Sequence, residues 1–241
     1  MNDVTTIPAP YAHQKTTTDF ITNTKTCLIT SDPGTGKTRA VLDAHAILGG
    51  KTLVLAPLSI LEAAWGEDIN KFQPTIKYGV AYAKNRKQVF EDNENEMVIT
   101  NFEAVNFLQK NTQYCEQFDT IVIDEFTAFK NREAKRSKNL KKIISYFTNR
   151  IAMSGTPNSN TILDIWHPTF LIDDGKRLGA RFYAFRHQVC TPKFNGFANE
   201  WIDKPGIEET VADRLSDISI RFALSDCMDL LTILYVQLIQ S

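Results

Sequence analysis

Residues 31–40 read SDPGTGKTRA and lie between an apolar run, CLIT, and a helix-like run, VLDAHAIL. Gly34 and Gly36 allow the tight backbone path in which successive N–H groups point at an anion. Lys37 adds a positive charge, and a helix beginning at this lysine would add the positive end of its dipole. A strand, a glycine-rich loop and a helix in this order predict a site for the phosphates of a nucleotide.

The stretch follows the Walker A pattern except at its first position, where Ser31 stands in place of glycine. The pattern predicts that Lys37 neutralises the β- and γ-phosphates and that the Thr38 hydroxyl binds Mg²⁺. A chance match in a surface loop is the alternative, and the flanking strand and helix favour the nucleotide site. The residues of this stretch that we expect to bind ATP are Asp32, Pro33, Gly34, Thr35, Gly36, Lys37, Thr38 and Arg39.

Short runs rich in β-branched residues recur between residues 26 and 154, with helical patterns between them. Continuous apolar runs of this length are typical of strands that are buried on both faces of a parallel sheet. The alternation predicts an α/β fold with a doubly wound, mostly parallel sheet, helices on both faces and a mainly helical C-terminal extension. The strand-like runs are 26–30, 52–56, 76–83, 97–100, 120–124 and 150–154.

A second element, TIVIDE, ends in Asp124 and Glu125 after a run typical of a buried strand. Two adjacent carboxylates at the mouth of a strand repel each other unless a cation is present. We therefore predict that Asp124 holds Mg²⁺ together with Thr38, and that Glu125 orients or deprotonates the attacking water. An inert pair at a helix N-terminus is the alternative, evenly balanced on this element alone. The Walker A stretch favours Lys37, Asp124 and Glu125 as the catalytic residues.

Charge and composition exclude several classes of protein. The 241 residues carry a formal net charge of −1, so any site for an anion must be local. The four cysteines form no CxxC pair and are typical of reduced thiols. The first residues show no basic region followed by an apolar region, so we expect no secretory leader. No apolar run approaches the roughly 20 residues of a membrane span. We expect a cytoplasmic protein with no membrane partner.

A third element, RIAMSGTPNSNTILDIW (150–166), resembles motif III of the superfamily-two helicases. The wider pattern, an acidic box followed by Lys-Asn, GTP..N and DIW, resembles the Swi/Snf-like branch of these helicase-like ATPases. The resemblance covers roughly residues 7 to 230, with the motifs in the order that the family has. It implies a RecA-like P-loop lobe in which Ser154, Gly155 and Thr156 couple the state of the γ-phosphate to lobe movement.

The resemblance also extends upstream of the acidic box. The stretch YAHQKTTTDFI resembles the family's Q motif, which implies that Gln14 reads the adenine edge. The stretches LVLAPLSILEAAW and ITNFEAV resemble elements on the nucleic-acid side, and they imply contacts through Ala56, Pro57 and Asn101. Lys130 is a further candidate for nucleic acid, or a residue that fixes the loop after the acidic box.

Two features depart from the family or stay open. The acidic box reads DEFT, without the histidine that usually follows in the family, and Thr127 is the candidate to replace that histidine in part. The basic stretch KNREAKRSKNLKK (130–142) is either a solvated helix face or a contact to the phosphate backbone, and the sequence leaves both open. We expect Trp65 to pack in the core.

Taken together, the resemblance implies the ATP-binding N-terminal lobe of a DNA-dependent ATPase that moves on DNA, with ATP and Mg²⁺ as cofactors. Its partners would be DNA, duplex rather than single-stranded, and a second RecA-like lobe in the full-length chain or in trans. We expect residues 1–157 to form the RecA-like core. Residues 158–241 would supply the remaining elements of the lobe and a helical, aromatic extension that leads toward an absent second lobe.

Alternatives follow from the motifs that are missing. No arginine-finger motif of a second lobe follows, which suits a truncated chain or one half of a split protein. An ATP- and nucleic-acid-binding module without turnover is therefore the alternative, and the motor of a nuclease is a third. The compact size would suit a viral protein in a bacterial host.

Overall fold

Parallel strands form the central sheet of the computed structural model, which describes residues 7–155, 161–194, 196, 197 and 199–227. The strands are β1 (Thr26–Ile29), β2 (Thr52–Ala56), β3 (Tyr78–Ala81), β4 (Met97–Asn101), β5 (Thr120–Asp124), β6 (Asn149–Met153), β7 (Cys190–Phe194), β8 (Asn199–Asp203) and β9 (Ser219–Ile220). Within these residues, seven strands pair in parallel in the order β3-β4-β2-β5-β6-β1-β9. Strands β7 and β8 form a separate antiparallel hairpin.

Helices cover both faces of this sheet. Successive side chains of a strand point to opposite faces, so these apolar strands have side chains to bury on each face. Leu53 and Leu55 of β2 lie in one apolar cluster, and Val54 lies in a second cluster on the other face. The fold prediction is therefore confirmed. In the described part of the chain, no helix is long and apolar enough to cross a membrane. The helices are α1 (Ala12–Asn23), α2 (Lys37–Leu48), α3 (Glu67–Phe72), α4 (Arg86–Glu91), α5 (Ala104–Leu108), α6 (Lys135–Ile143), α7 (Trp166–Asp173), α8 (Phe182–Val189) and α9 (Ile207–Leu215).

The segment after β2 differs from the single helix that its pattern suggests. A 3-10 turn (Leu58–Ile60) and a π-helical turn (Leu61–Gly66) precede α3. Single π turns occur frequently at functional sites. Here the π turn carries Trp65, whose side chain is fully buried beside the end of β5.

The C-terminal third contains strands as well as the expected helices. In β7 only Cys190 is buried, so this strand lacks the apolar alternation by which a sequence reveals a strand. Strand β9 pairs with β1 at the edge of the central sheet. Residues on both sides of position 157 therefore share one sheet, and the division of the chain at that position stays a prediction.

Candidate nucleotide-binding site

Three functional segments meet at the carboxyl ends of neighbouring strands. Strand β6 lies between β1 and β5 in the sheet. The phosphate loop follows β1, Asp124 ends β5, and Ser154 follows β6. Ligands of open α/β sheets bind at this edge of the strands. The sheet order thus brings together residues that lie far apart in the sequence.

The phosphate loop has the backbone shape that its glycines permit. Gly34 and Gly36 have φ angles of 83° and 76°, in the left-handed region that favours glycine. Helix α2 begins at Lys37, as the sequence predicts, so its N-terminus points into the loop. Thr35 donates its hydroxyl hydrogen to the carbonyl of Asp32 at 2.8 Å, which closes the loop on itself.

The ammonium group of Lys37 lies against its own loop. It donates to the carbonyl oxygen of Ser31 at 2.8 Å and to that of Asp32 at 3.1 Å. Burial lowers the pKa of Lys37, and the nearby carboxylates of Asp124, Glu125 and Asp32 oppose this shift. A phosphate would offer this partly desolvated cation a full negative charge in place of two neutral carbonyls.

Asp124 is half-buried and has one indole donor. Trp65 donates its Nε1–H to Oδ2 of Asp124 at 2.9 Å. Burial raises the pKa of Asp124, the indole hydrogen bond lowers it, and the charge of Glu125 raises it further. A cation at this carboxylate would relieve the penalty that burial places on its charge.

The donors at this site fit Mg²⁺. This ion commonly takes one or two protein oxygens and completes its shell with water and phosphate oxygens. Asp124 supplies a carboxylate, and Thr38 follows Lys37 in the first turn of α2, where it is partly exposed. Within the described residues, no cluster of three or more His, Cys, Asp or Glu side chains offers an all-protein metal cage.

Glu125 is held by two hydroxyl groups. Thr127 and Ser154 donate to the same carboxylate oxygen, Oε1, at 2.6 and 2.7 Å. Glu125 also has a φ of 59°, a left-handed conformation that costs a non-glycine residue about 1 to 3 kcal/mol. The chain turns here into a 3-10 turn whose Phe126 and Phe129 are buried, and their burial offsets the strain.

Gln14 lies on helix α1 and contacts the phosphate loop. Its Oε1 accepts a hydrogen bond from the N–H of Tyr11 at 3.0 Å, and its Nε2 donates to the carbonyl of Thr35 at 3.4 Å. His13 bonds the same carbonyl through Nε2 at 2.8 Å. A Cβ at Gly36 would collide with the Gln14 amide. Helix α1 is therefore fitted to the loop, and adenine recognition by Gln14 stays a prediction.

The predicted coupling segment after β6 and the predicted ATP-binding residue Arg39 have different surroundings. A Cβ on Gly155 would lie 2.8 Å from Cγ of Pro33, so the segment after β6 packs directly against the phosphate loop. Thr156 lies outside the described residues. Arg39 pairs with Asp43 at 2.8 Å and its guanidinium lies 4.4 Å from the ring centroid of Phe72, and its contact with ATP stays a prediction.

The residues predicted to contact nucleic acid also lie at the carboxyl ends of the strands, in the half of the sheet that β4 and β2 form. Ala56 and Asn101 end the neighbouring strands β2 and β4, and Pro57 follows β2. Arg86 donates from Nη2 to Oδ1 of Asn101 at 3.0 Å, which adds a cation to this group.

Lys130 and the basic stretch have local partners. Lys130 pairs with Asp164 at 3.0 Å and so joins the turn after β5 to the turn before α7. In α6, Lys138 pairs with Glu133 at 2.8 Å, and the ammonium group of Lys141 lies 4.7 Å from the ring centroid of Phe170. These contacts are compatible with both the solvated face and a phosphate contact.

The model of the SNF2-related domain family matches residues 13–187 of the chain. The chain belongs to this family. Its membership confirms the resemblance to the Swi/Snf-like branch of the superfamily-two helicases. The putative protein p41 of Acyrthosiphon pisum secondary endosymbiont phage 1 is 28% identical over 193 residues, which cover 74% of this chain and 42% of that protein. An uncharacterized ATP-dependent helicase of Mycoplasma pneumoniae is 32% identical over 151 residues, covering 58% of this chain and 14% of the helicase.

A solved structure shares the fold of this SNF2-related chain. The SWI2/SNF2 ATPase core of Sulfolobus solfataricus, in complex with dsDNA, superposes with a TM-score of 0.73 at 22% sequence identity. The match covers 90% of this chain and 45% of that one. The chain thus spans less than half the length of these proteins, and the likeness confirms the RecA-like fold.

Three contacts of this SNF2-related lobe escape the sequence motifs. They are the indole of Trp65 on Asp124, the guanidinium of Arg86 on Asn101, and a C-terminal segment bonded to Ser31 and Asp32. The partners in these pairs are up to 192 residues apart, so no local spacing could reveal them.

Proposed function

We propose that the chain is the ATP-binding N-terminal lobe of a DNA-dependent ATPase that couples ATP hydrolysis to movement on DNA. One observation carries the proposal: the phosphate loop, the Asp124–Glu125 pair and Ser154 meet at the carboxyl ends of three adjacent strands. Family membership supports the same activity, because curated relatives are named ATP-dependent helicases.

Each residue has a distinct role in this proposal. The loop amides between Gly34 and Thr38 bind the phosphates, and Lys37 leaves its loop carbonyls to neutralise them. Thr38 and Asp124 would hold Mg²⁺, and this ion would supply positive charge for the phosphates. Glu125, fixed by Thr127 and Ser154, orients the attacking water and accepts its proton.

We assign duplex DNA to the other half of the strand edge, at Ala56, Pro57 and Asn101. The Sulfolobus solfataricus relative is a complex with dsDNA, which supports duplex over single strands. ATP and DNA would then bind side by side along one sheet edge. Ser154 and Gly155 lie against the nucleotide half and are suited to transmit its state.

A second RecA-like lobe, in the full-length chain or in trans, is part of the proposal. The chain covers 45% of the solved ATPase core. The loss of an arginine finger typically costs about 10³ to 10⁵ in rate. The alternative function, a module that binds ATP and DNA without turnover by itself, rests on this point, and we expect weak or no hydrolysis from the isolated lobe.

The test is a titration with ATP and Mg²⁺, together with steady-state ATPase assays without nucleic acid and with single-stranded DNA, duplex DNA and RNA. We expect tight ATP binding that Lys37→Ala abolishes and Lys25→Ala leaves intact, because Lys25 is exposed and precedes β1 at the opposite edge. Turnover stimulated by duplex DNA would favour the enzyme over the binding module. ATP binding that survives Lys37→Ala would refute the nucleotide site.

A further inference from the structure

Residues 219–227, which we call the strap, lie across the phosphate loop. The strap contains β9 and a 3-10 turn, Leu224–Cys227. Its backbone bonds to the loop in both directions: the N–H of Asp32 donates to the carbonyl of Phe222 at 3.0 Å, and the N–H of Phe222 donates to the Ser31 hydroxyl at 3.0 Å. The N–H of Leu224 donates to Oδ2 of Asp32 at 3.1 Å.

Side chains of the strap add to these backbone bonds. The ring of Phe222 lies 5.8 Å from that of His13, which itself bonds the carbonyl of Thr35. A Cβ at Gly34 would lie 3.8 Å from Cδ1 of Leu224. Arg221 reaches Asp32 at 3.3 Å, but its side chain is 60% exposed, so we assign this pair a small contribution.

Ser31 and Asp32 have two partners at once. Their side chains accept hydrogen bonds from the strap, and their carbonyl oxygens accept hydrogen bonds from Lys37. Phosphates would compete with these carbonyls for the donors of Lys37. Nucleotide binding therefore acts directly on the two residues that hold the strap. Ser31, at the first Walker A position, accepts this hydrogen bond from the N–H of Phe222 with its hydroxyl, which a glycine there could not do.

We propose that Ser31 and Asp32 are positioning residues that fasten the strap to the phosphate loop and preorganise the loop for nucleotide. The inference rests on the proposed nucleotide site. Because linkage between two equilibria is reciprocal, a docked strap raises nucleotide affinity, and bound nucleotide tightens the strap. The strap would thereby couple nucleotide binding at the phosphate loop to residues 219–227, which contain no ATP motif.

A pair of variants at one position tests this linkage. Leu224→Pro removes the N–H that bonds Asp32, and proline is tolerated at the first position of a helical turn. Leu224→Ala removes the side chain and keeps the N–H. With a fluorescent ADP and Mg²⁺, we expect Leu224→Pro to bind at least about fivefold more weakly than the unchanged chain. We expect Leu224→Ala, which loses only the side-chain contact beside Gly34, to bind the probe more tightly than Leu224→Pro, and equal binding by these two variants would overturn the inference.

A double-mutant cycle separates linkage from general loosening. Asp32→Ala and Leu224→Pro remove the same hydrogen bond from its two ends. We expect the double variant to bind the ADP probe no more weakly than Asp32→Ala alone. Losses that add fully in the double variant would show independent effects and overturn the inference.

Hydrogen exchange of the unchanged chain gives a readout that needs no mutation. Saturating ADP and Mg²⁺ should slow exchange at the amides of Phe222 and Leu224, and leave that of Ile207, bonded to Lys204 at 3.2 Å, as it was. Unchanged exchange in the strap would overturn the linkage. Failure of the chain to bind ADP at all would instead overturn the proposed nucleotide site, so the two failures are distinguishable.

Discussion

Ser154 donates its hydroxyl hydrogen to Oε1 of Glu125 at 2.7 Å, across the carboxyl ends of the neighbouring strands β6 and β5. The serine side chain is buried, and Thr127 bonds the same carboxylate oxygen at 2.6 Å. Two donors on one oxygen fix the orientation of the carboxylate. The segment after β6 therefore controls the residue that we expect to act on water.

Ser154→Ala should slow ATP hydrolysis and leave ATP binding intact, because the serine acts through Glu125. A hydrogen bond to a charged group contributes about 1.5 to 3 kcal/mol, which corresponds to roughly a ten- to hundredfold loss in rate. Single-turnover hydrolysis with excess chain and duplex DNA, which detects turnover as weak as we expect from the isolated lobe, measures the first effect, and an ATP titration measures the second. Ser137→Ala is the matched control, since that buried hydroxyl bonds the carbonyl of Phe129 at 3.4 Å. Equal rates for the two variants would contradict the prediction.

Trp65→Phe should weaken Mg²⁺-dependent nucleotide binding by about tenfold, because it keeps an aromatic ring and removes the indole donor to Asp124. Without this donor, the pKa of Asp124 rises further above its ordinary value and its carboxylate binds a cation less well. Titration of a fluorescent ADP with and without Mg²⁺ measures the effect. Trp166→Phe is the control, since its indole donates to the carbonyl of Gly179 at 3.0 Å instead. An equal decrease for both variants would assign the effect to core packing.

The nucleotide half of the site was accessible from sequence because its motifs are local. Lys37 and Thr38 follow their glycines directly, and Asp124 ends an apolar run that forms β5. Each motif also lies at a strand end, so the parallel fold alone brings them to one edge. The apolar runs predicted six of the seven strands of the central sheet to within a few residues, and β9 was not among them.

The remaining contacts depend on packing between segments that are distant in the chain. Trp65 is an apolar residue in a helical pattern and predicts only a core position, but a π turn places its indole on a carboxylate 59 residues away. The strap is short and irregular in sequence, and the pairing of β9 with β1 brings it to the phosphate loop. Such placements follow from the folded sheet and cannot be read from spacing.

Arg86→Gln should lower the affinity for duplex DNA and flatten its dependence on salt. Arg86 is half-buried and bonded to Asn101, so its charge is held at the edge that we assign to DNA. Each phosphate contact contributes about 0.9 to the slope of log affinity against log salt concentration. Fluorescence anisotropy over a salt series measures this slope. Lys77→Gln removes an equal charge just before β3, at the opposite edge, and should leave the slope unchanged. Equal slopes for both variants and the unchanged chain would show that Arg86 does not contact the phosphates of DNA.

His45 should make folding sensitive to mild acid. Its ring is buried and bonds the Thr52 hydroxyl through Nδ1 at 2.9 Å. Burial lowers the pKa of His45 from 6.5, and the charge of Glu96 opposes this shift only in part. As the pH falls through the ordinary pKa of histidine, His45 therefore takes up a proton in the unfolded chain but not in the folded chain. Because the unfolded state binds more protons in this window, the free energy of unfolding decreases as the pH falls below the ordinary value.

Urea unfolding of the unchanged chain and of His45→Gln, at about pH 7.5 and about pH 5.5, measures this contribution. We expect the unchanged chain to lose more stability than His45→Gln between the two pH values, because glutamine takes up no proton. His187→Gln is the control, since the His187 side chain is exposed on α8 and its replacement should leave the difference as it was. If His45→Gln loses as much stability on acidification as the unchanged chain does, proton uptake by His45 in the unfolded state is not the cause.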